Sequence, residues 1–419
     1  YNKLSDSKDK KNLSIKYNKI KKYFGISHSK SSIVTELSLL YKQNNIYKKL
    51  DNVNDLIIAF DNGVYDLQKN IFRNALPEEL VTCTTKYNYE EVTPEHIQIV
   101  TNILKSIMPD PKELEYLLKT LSLGLIGMNK LEEFYIWIGN GRNGKGVLRD
   151  FLFYTLGGYF DSAEISYFCK SQYQSNSNAA DPIMAKKKNC RIVVTTEPEE
   201  GTTLQCAKLK QLSGQDLVQC RQLYGNCIEF VPKFKLIIQT NNEPKVDGTD
   251  DAIIQRLRFI NFPIKFVHEP KTEFQRKIDV ELKSNIKNNI QYRLAFFKIL
   301  VDHYNDFVNN DKNQLTMPPR IKSDTEKFLD KNNPIKRFVK EKLDITHNKK
   351  DLIQSSELYE SFINFYNNEN QGICTAKFKR LMKDTLDIES KRTSSCIYYV
   401  GLKFKKKEYD NKYIFMDEN

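Results

Sequence analysis

The strongest chemical signature in the chain is Gly139-Asn140-Gly141-Arg142-Asn143-Gly144-Lys145-Gly146. It follows the apolar run Phe134-Tyr135-Ile136-Trp137-Ile138 and precedes a helical pattern from Val147 to Leu156, closed by Gly157-Gly158. This is GxxxxGK between a strand and a helix, the setting that a phosphate-binding loop requires. Glycines let the backbone curl until its N–H groups point inward at phosphate oxygens. The helix N-terminus adds partial positive charge. Lys145 is then placed for the β- and γ-phosphates. One position departs from the pattern: Gly146 stands where a Ser or Thr would ligate Mg²⁺. The metal must be held by a water, by a shifted ligand, or more weakly. A degenerate loop that binds without hydrolysing is the alternative.

A second apolar run, Arg191 to Thr195, leads through Thr196 to Glu197, with Glu199 and Glu200 behind it. An acid at the carboxyl end of a strand beside a phosphate loop can hold Mg²⁺ and polarise the attacking water. Glu197 is expected in that role; Glu199 and Glu200 read as a solvated turn, although one could compensate for Gly146. A third run, Lys235 to Thr240, ends at Asn241, whose amide can bond a γ-phosphate or the lytic water. Asn-Asn before a proline is also a common turn. Arg256 and Arg258 follow, beside a strand-like Phe259 to Phe262. An arginine at a subunit edge can reach a neighbour's γ-phosphate and stabilise transition-state charge.

These residues need elements to position them. Short buried strands alternating with helices indicate an α/β fold, a parallel sheet with helices on its faces. Ahead of it, Leu56 to Leu67 reads as a hairpin around Asp61-Asn62-Gly63. Ile97, Val100, Ile103, Leu104 and Ile107 fall at helical spacing, as do Leu114, Leu117, Leu118 and Leu121. Long helical patterns cover Glu273 to Val308, and an Asn- and Pro-rich break runs from Asn309 to Pro319. The expected divisions are a basic linker or arm over 1–50, a collar over 51–130, the nucleotide-binding core over 131–266, a helical bundle over 267–340 and a DNA-binding domain over 341–419.

Composition narrows the partners. The 419 residues carry 65 Lys and Arg against 53 Asp and Glu, a net charge of +12. Twelve lysines and three acids fall within the first fifty residues. A basic excess suggests a polyanionic partner. An apolar content of 40% excludes global disorder. The longest uncharged apolar stretch, Thr120 to Met128, falls short of the ~20 residues that span a bilayer. The eight cysteines form no CxxC pair and read as reduced thiols of an intracellular protein. The chain opens at Tyr1 without a secretory segment, and is expected to be a piece of a longer protein.

Taken in order, the motifs resemble the superfamily 3 helicases of the AAA+ class. The closer resemblance is to the helicase half of the poxvirus-type primase-helicases of large nucleocytoplasmic DNA viruses, and to related phage and plasmid primases. "AFDNGVYDL" resembles the segment that precedes the helicase, "GNGRNGKG" the Walker A loop and "VVTTEPEE" the Walker B region. "KLKQLSGQDLVQCRQLYGNCIEFVPKFKL" resembles the third signature, which carries a DNA-contacting hairpin. "IIQTNNEP" is similar to the fourth, and "DAIIQRLRFINF" to the arginine-finger segment. Coverage runs from about Leu56 to Phe338, where "MPPRIKSDTEKFLDKNNPIKRFV" also looks like family sequence. The resemblance implies an AAA+ P-loop core, with ATP and Mg²⁺ as cofactors. It places Lys145 on phosphate, Glu197 as catalytic acid and metal ligand, Asn241 as sensor and Arg256 as the finger, with Arg258 second. Gly146 and Thr196 depart from the commonest pattern.

DNA contacts are expected in two places. Val218 to Leu223 and Ile228 to Val231 flank Tyr224-Gly225-Asn226, a hairpin surrounded by Lys208, Lys210, Arg221 and Lys233. A ring of such hairpins would offer backbone attraction and base stacking to a single strand. The tail reads as helix–helix–ribbon, the order of a winged helix, with Lys377 and Arg380 on the second helix and Lys391, Arg392 and Lys405 to Lys407 on the wing. The expected function is an ATP-dependent helicase acting in viral-type replication as a hexameric ring on DNA. It would work in the host cytoplasm or nucleus, with a primase domain upstream. The rival is a nucleotide-gated DNA-binding or initiator module with little hydrolysis, which Gly146 favours.

Overall fold

The computed structural model describes residues 7–42, 46–170, 181–198, 201–221, 225, 227–248, 250–366, 374–386, 390–394 and 396–405. Five strands build the central sheet: β1 (Phe134–Ile138), β2 (Phe160–Ala163), β3 (Ile192–Thr195), β4 (Lys235–Thr240) and β5 (Leu257–Asn261). Their order is β5-β1-β4-β3-β2, and every pairing is parallel. All residues of β3 and β4 are buried. A strand covered on both faces has no solvent side, so it reads as a continuous apolar run without alternation. β2 escapes that reading because Phe-Asp-Ser-Ala carries two polar residues, which an edge strand tolerates.

Helices cover the sheet. Tyr135, Trp137, Val194, Ile237 and Ile260 pack against α1 (Pro94–Ile107), α2 (Pro111–Ser122), α3 (Lys145–Leu156) and α4 (Ile290–Asn309). Phe134, Ile136, Val193, Leu236, Ile238 and Phe259 form a second core with Leu209, Leu212 and Phe328. The start of α1 is set locally: Pro94 occupies the first turn and the Thr93 hydroxyl caps the N–H of His96. Asp110 caps α2 through the N–H groups of Lys112 and Glu113. The expected hairpin is present as Ile57–Phe60 against Gly63–Asp66, extended by Ile71–Arg73.

The region expected to be helical from Glu273 begins differently. Gln275–Lys277 is a strand, parallel to Lys265–Val267, and helices follow only at Leu282–Asn288 and in α4. The exposed backbone of Lys265–Val267 offers hydrogen-bonding groups that a neighbouring segment can satisfy, and this overrides weak helical periodicity. Residues 1–53 with 77–82 form a separate unit. Within it Ser7–Gly25, Ser27–Leu40 and Ile46–Lys49 are helices, and the Asp51 carboxylate accepts the N–H (2.6 Å) and hydroxyl (2.5 Å) of Thr82. Among the described residues no helix is long and apolar enough to cross a membrane.

The C-terminal region has a core of its own. Ile335, Phe338, Leu358, Phe362, Phe378, Met382 and Leu402 are buried together. Helices Pro334–Lys342, Ser355–Tyr366 and Thr375–Thr385 surround them. The ribbon is made by Ile397–Val400 between Leu352–Gln354 and Ser390–Arg392, while Leu402–Phe404 pairs with Leu343–Ile345. Phe338 is fully buried and meets Phe362 edge-on at 5.4 Å. Phe338→Ala is expected to destabilise this core by about 3–5 kcal/mol. Hydrogen exchange should rise across 334–404 and leave β1, β3 and β4 protected. Equal loosening of the central sheet would show that the cores are not independent.

Candidate active site

The glycine-rich loop after β1 is a tight turn pinned by its neighbours. Gly141, Arg142 and Gly144 have φ values of 70°, 48° and 88°. A Cβ on Gly144 would also lie 2.7 Å from Ile107 of α1, so both conformation and packing demand glycine there. The loop is pinned by the N–H of Gly141 on the Gly139 carbonyl (2.8 Å) and the N–H of Phe266 on the Arg142 carbonyl (2.7 Å).

Lys145 opens α3 with only 2% of its surface exposed. Its ammonium donates to the Gly139 carbonyl (2.6 Å) and to Asn241 Oδ1 (3.2 Å). Asn241 Nδ2 in turn donates to Glu197 Oε2 (2.8 Å). Burial pulls the Lys145 pKa down to about 8, partly opposed by the charge on Glu197. Sheet order explains the chain of contacts. β4 lies between β1 and β3, so the residue after β4 sits between the loop after β1 and the acid after β3. Glu199 and Glu200 lie outside the described residues.

A cleft of ≈ 580 Å³ opens over this constellation. Gly141 to Gly146, Glu197, Gln239, Asn241, Lys277, Asp279 and Lys283 give it polar lining, and Ile103, Ile107, Phe266, Ile278 and Val280 apolar lining. A cleft that combines a few convergent polar groups with apolar side chains is the usual form of a small-molecule site. Asn140, exposed, lines a second cleft of ≈ 700 Å³ with Asn261, Lys265 and Lys327, which shares Gly141 and Asn143 with the first. Two buried polar atoms at the loop have no hydrogen-bond partner: Asn143 Nδ2 and Gln239 Oε1. Gln239 was not singled out by sequence, although one amide in the buried run Leu-Ile-Ile-Gln-Thr is a readable anomaly.

The arginines sit at the other end of the sheet. Arg256 closes the helix Asp251–Arg256 immediately before β5. Its guanidinium donates to the Ala252 carbonyl (3.2 Å) and pairs with Glu132 (2.8 Å). Asn261, at the far end of β5, pairs with Ile138 next to the loop. The intervening strand residues, at ~3.3 Å each, separate Arg256 from its own loop by roughly 17 Å. Arg258 pairs with Glu133 (2.6 Å), which also accepts the Tyr135 hydroxyl (2.7 Å). Arg258 is thus bound into the underside of the sheet, while Arg256 lies nearer the surface.

The expected hairpin forms, with Val218–Arg221 antiparallel to Cys227–Phe230 and Arg221 opposite Cys227. Tyr224 lies outside the described residues. Only Arg221 of the four basic residues is on the hairpin strands; Lys208 reaches it through Tyr167, whose hydroxyl donates to Asp181, and the Asp181 N–H donates to the Arg221 carbonyl (2.9 Å). Lys208 is half-buried with its ammonium 3.2 Å from the centre of the Tyr167 ring, and burial lowers its pKa. Lys210 pairs with Asp250 (2.6 Å) and Lys233 with Asp55 (2.5 Å). Each of these lysines has a partner distant in sequence, which spacing does not reveal. Lys377 and Arg380 lie on the helix Thr375–Thr385, Arg380 exposed beside inward-facing Phe378 and Met382.

Residues 2–109 match the family described as D5 N terminal like. Over 381 residues the chain is 28% identical to "Putative helicase L207/L206" of Acanthamoeba polyphaga mimivirus, covering 88% of this chain and 39% of that protein. The chain is thus similar to viral proteins that carry helicase and primase names of this kind. "Putative helicase 121R" of Invertebrate iridescent virus 3 is 25% identical over 81% of this chain and 38% of its own length. "Putative primase C962R" of African swine fever virus is 22% identical over 84% and 38%. The chain therefore spans about two fifths of the relatives it matches. The apo C-terminal region of NrS-1 aligns at 15% identity and a TM-score of 0.47, over 89% of this chain and 90% of that one.

Two expectations follow from the geometry. Lys145 carries its charge below pH 8 and loses it above. A phosphate needs the charged form, so above pH 8 binding must take up a proton. Affinity for a non-hydrolysable ATP analogue should then fall by up to about tenfold per pH unit. Titration calorimetry between pH 7 and 9.5 measures it, and a constant Kd with no proton uptake contradicts it. Arg258→Met leaves the buried Glu133 carboxylate without its cation, with only the Tyr135 hydroxyl bonded to it, and should cost about 3 kcal/mol of stability. Arg256→Ala, at a surface pair, should change it by less than about 1 kcal/mol. Thermal melts of the two variants test the contrast.

Proposed function

We propose that this chain is the ATP-driven motor of a DNA helicase in viral genome replication. The observation that carries the reading is the contact chain Lys145–Asn241–Glu197 across three adjacent parallel strands, under a glycine loop that opens a helix. The names of the viral relatives support the same substrate class.

In this reading the β- and γ-phosphates of ATP enter between the loop N–H groups and Lys145. The lysine exchanges its present contact with the Gly139 carbonyl for phosphate oxygens. Asn241 touches both Lys145 and Glu197, so it senses whether a γ-phosphate is present. Glu197 orients the attacking water and accepts its proton. Mg²⁺, arriving with the nucleotide, supplies charge neutralisation, and Glu197 with neighbouring oxygen donors would hold it.

Arg256 lies too far from its own loop to act there, which favours action on a neighbouring subunit. A closed ring supplies every site with such a neighbour, and a hexamer is the proposed form. The hairpin Val218–Phe230 would then line the ring's channel and move one DNA strand. The C-terminal helices and ribbon would serve as a winged-helix-like DNA contact. A primase domain would belong to the remaining length of the full protein. Gly146 favours a second reading, a module that binds ATP and DNA but hardly hydrolyses.

DNA-stimulated ATPase separates the two readings. Lys145→Ala should abolish it while keeping the fold, and wild-type turnover in that variant would remove Lys145 from the chemistry. Arg256→Ala should lower turnover by about 10³-fold and spare nucleotide binding. Mixing Arg256→Ala with Lys145→Ala subunits should restore part of the activity, because some interfaces join an intact loop to an intact finger. Absence of recovery in rings that have exchanged subunits counts against action in trans.

A further inference from the structure

We propose that Gln239 replaces the hydroxyl missing at Gly146, binding the nucleotide's divalent cation through its amide oxygen. The proposal rests on reading the cleft as an ATP site. The loop lacks the side chain that would normally ligate the metal, and nothing in the backbone requires that loss. Gly146 is not among the residues in left-handed conformation, and a Cβ built on it meets nothing within 4 Å. Open space therefore adjoins the position where a Ser or Thr hydroxyl would stand.

Gln239 supplies what is missing. It follows Leu236, Ile237 and Ile238 in a strand buried at every position, and is itself only 8% exposed. Its amide oxygen has no partner, a condition that costs about 1–3 kcal/mol unless a ligand relieves it. Gln239 lines the same cleft as Asn241, whose amide already touches Lys145 and Glu197. Gln239, Gly146, Lys145 and Glu197 line one cleft. The last torsion of a glutamine side chain is broad and nearly two-fold, so the oxygen can turn into the cleft without moving the backbone.

The chemistry is consistent. A carboxamide oxygen is a hard, neutral donor of the type that Mg²⁺ and Ca²⁺ accept. It would add a neutral ligand beside Glu197 without adding charge. The other unpartnered atom of the loop, Asn143 Nδ2, is a donor and suits a phosphate oxygen instead.

The test measures metal directly. Mn²⁺ binding to the full chain with a non-hydrolysable ATP analogue is followed by electron paramagnetic resonance. Analogue affinity in EDTA is measured in parallel. Gln239→Leu should weaken Mn²⁺ about tenfold and leave metal-free analogue binding unchanged. Gly146→Ser in that background should recover most of the loss. Gln239→Glu, nearly isosteric, should tighten Mn²⁺ and provides the answer if the leucine variant fails to fold. Unchanged Mn²⁺ affinity in Gln239→Leu overturns the proposal. A loss of metal-free binding also overturns it, because Gln239 would then contact phosphate. A wild-type chain that binds no analogue under any condition removes the ATP-site reading itself, a result distinguishable from both.

Discussion

An ammonium group buried under a glycine turn is the constraint around which this structure is built. Lys145 cannot leave its charge unpaired at that depth, and it is held by the Gly139 carbonyl and Asn241. Both partners depend on tertiary placement. The carbonyl faces inward because the turn adopts positive φ at Gly141, Arg142 and Gly144. The amide is present because β4 inserts between β1 and β3. α1 presses Ile107 against Gly144 and so fixes the loop from the side opposite the sheet. Phosphate is the ligand that could take over these contacts without exposing the charge to a worse environment.

The two ends of the sheet have opposite characters. One edge gathers groups with unused bonding capacity: Asn143, Gln239 and the displaceable contacts of Lys145. The other end holds an ionic cluster, in which Glu133 pairs with Arg258 and accepts the Tyr135 hydroxyl, and Lys235 donates to Asn129 (2.8 Å). Full burial pushes the Lys235 pKa down to about 7, so this lysine lies near the point where it sheds its charge. Arg256 borders that cluster but is less enclosed. Parallel strands produce this asymmetry because all their carboxyl ends lie on one edge, where loops vary without disturbing the ladder.

Much of the site was legible because its parts are contiguous or strongly patterned. The glycines and lysine of the loop after β1 stand at fixed spacing along the chain, so one stretch of sequence locates it. Strands buried on both faces appear as unbroken apolar runs, which located β1, β3, β4 and most of β5. Glu197, Asn241 and Arg256 could be named because each sits just beyond or before such a run. The edge strand β2 and the strand Gln275–Lys277 were not legible. Their stability comes from a neighbour's backbone, and their side chains carry no periodic signal.

Partner identity was decided only by the folded chain. Lys233 reads as a free cation until the fold brings Asp55 to it, and Lys208 until Tyr167 lies beneath its ammonium. Arg256 and Arg258 look alike in sequence; Glu133 binds one into the sheet, while the other stays near the surface. Gln239 is one polar letter in an apolar run, and only its burial without a partner gives it meaning. Local sequence determines which groups are available and what backbone they can adopt. Which of them are paired, and which are left with bonding capacity to offer a ligand, depends on chain segments that meet only in three dimensions.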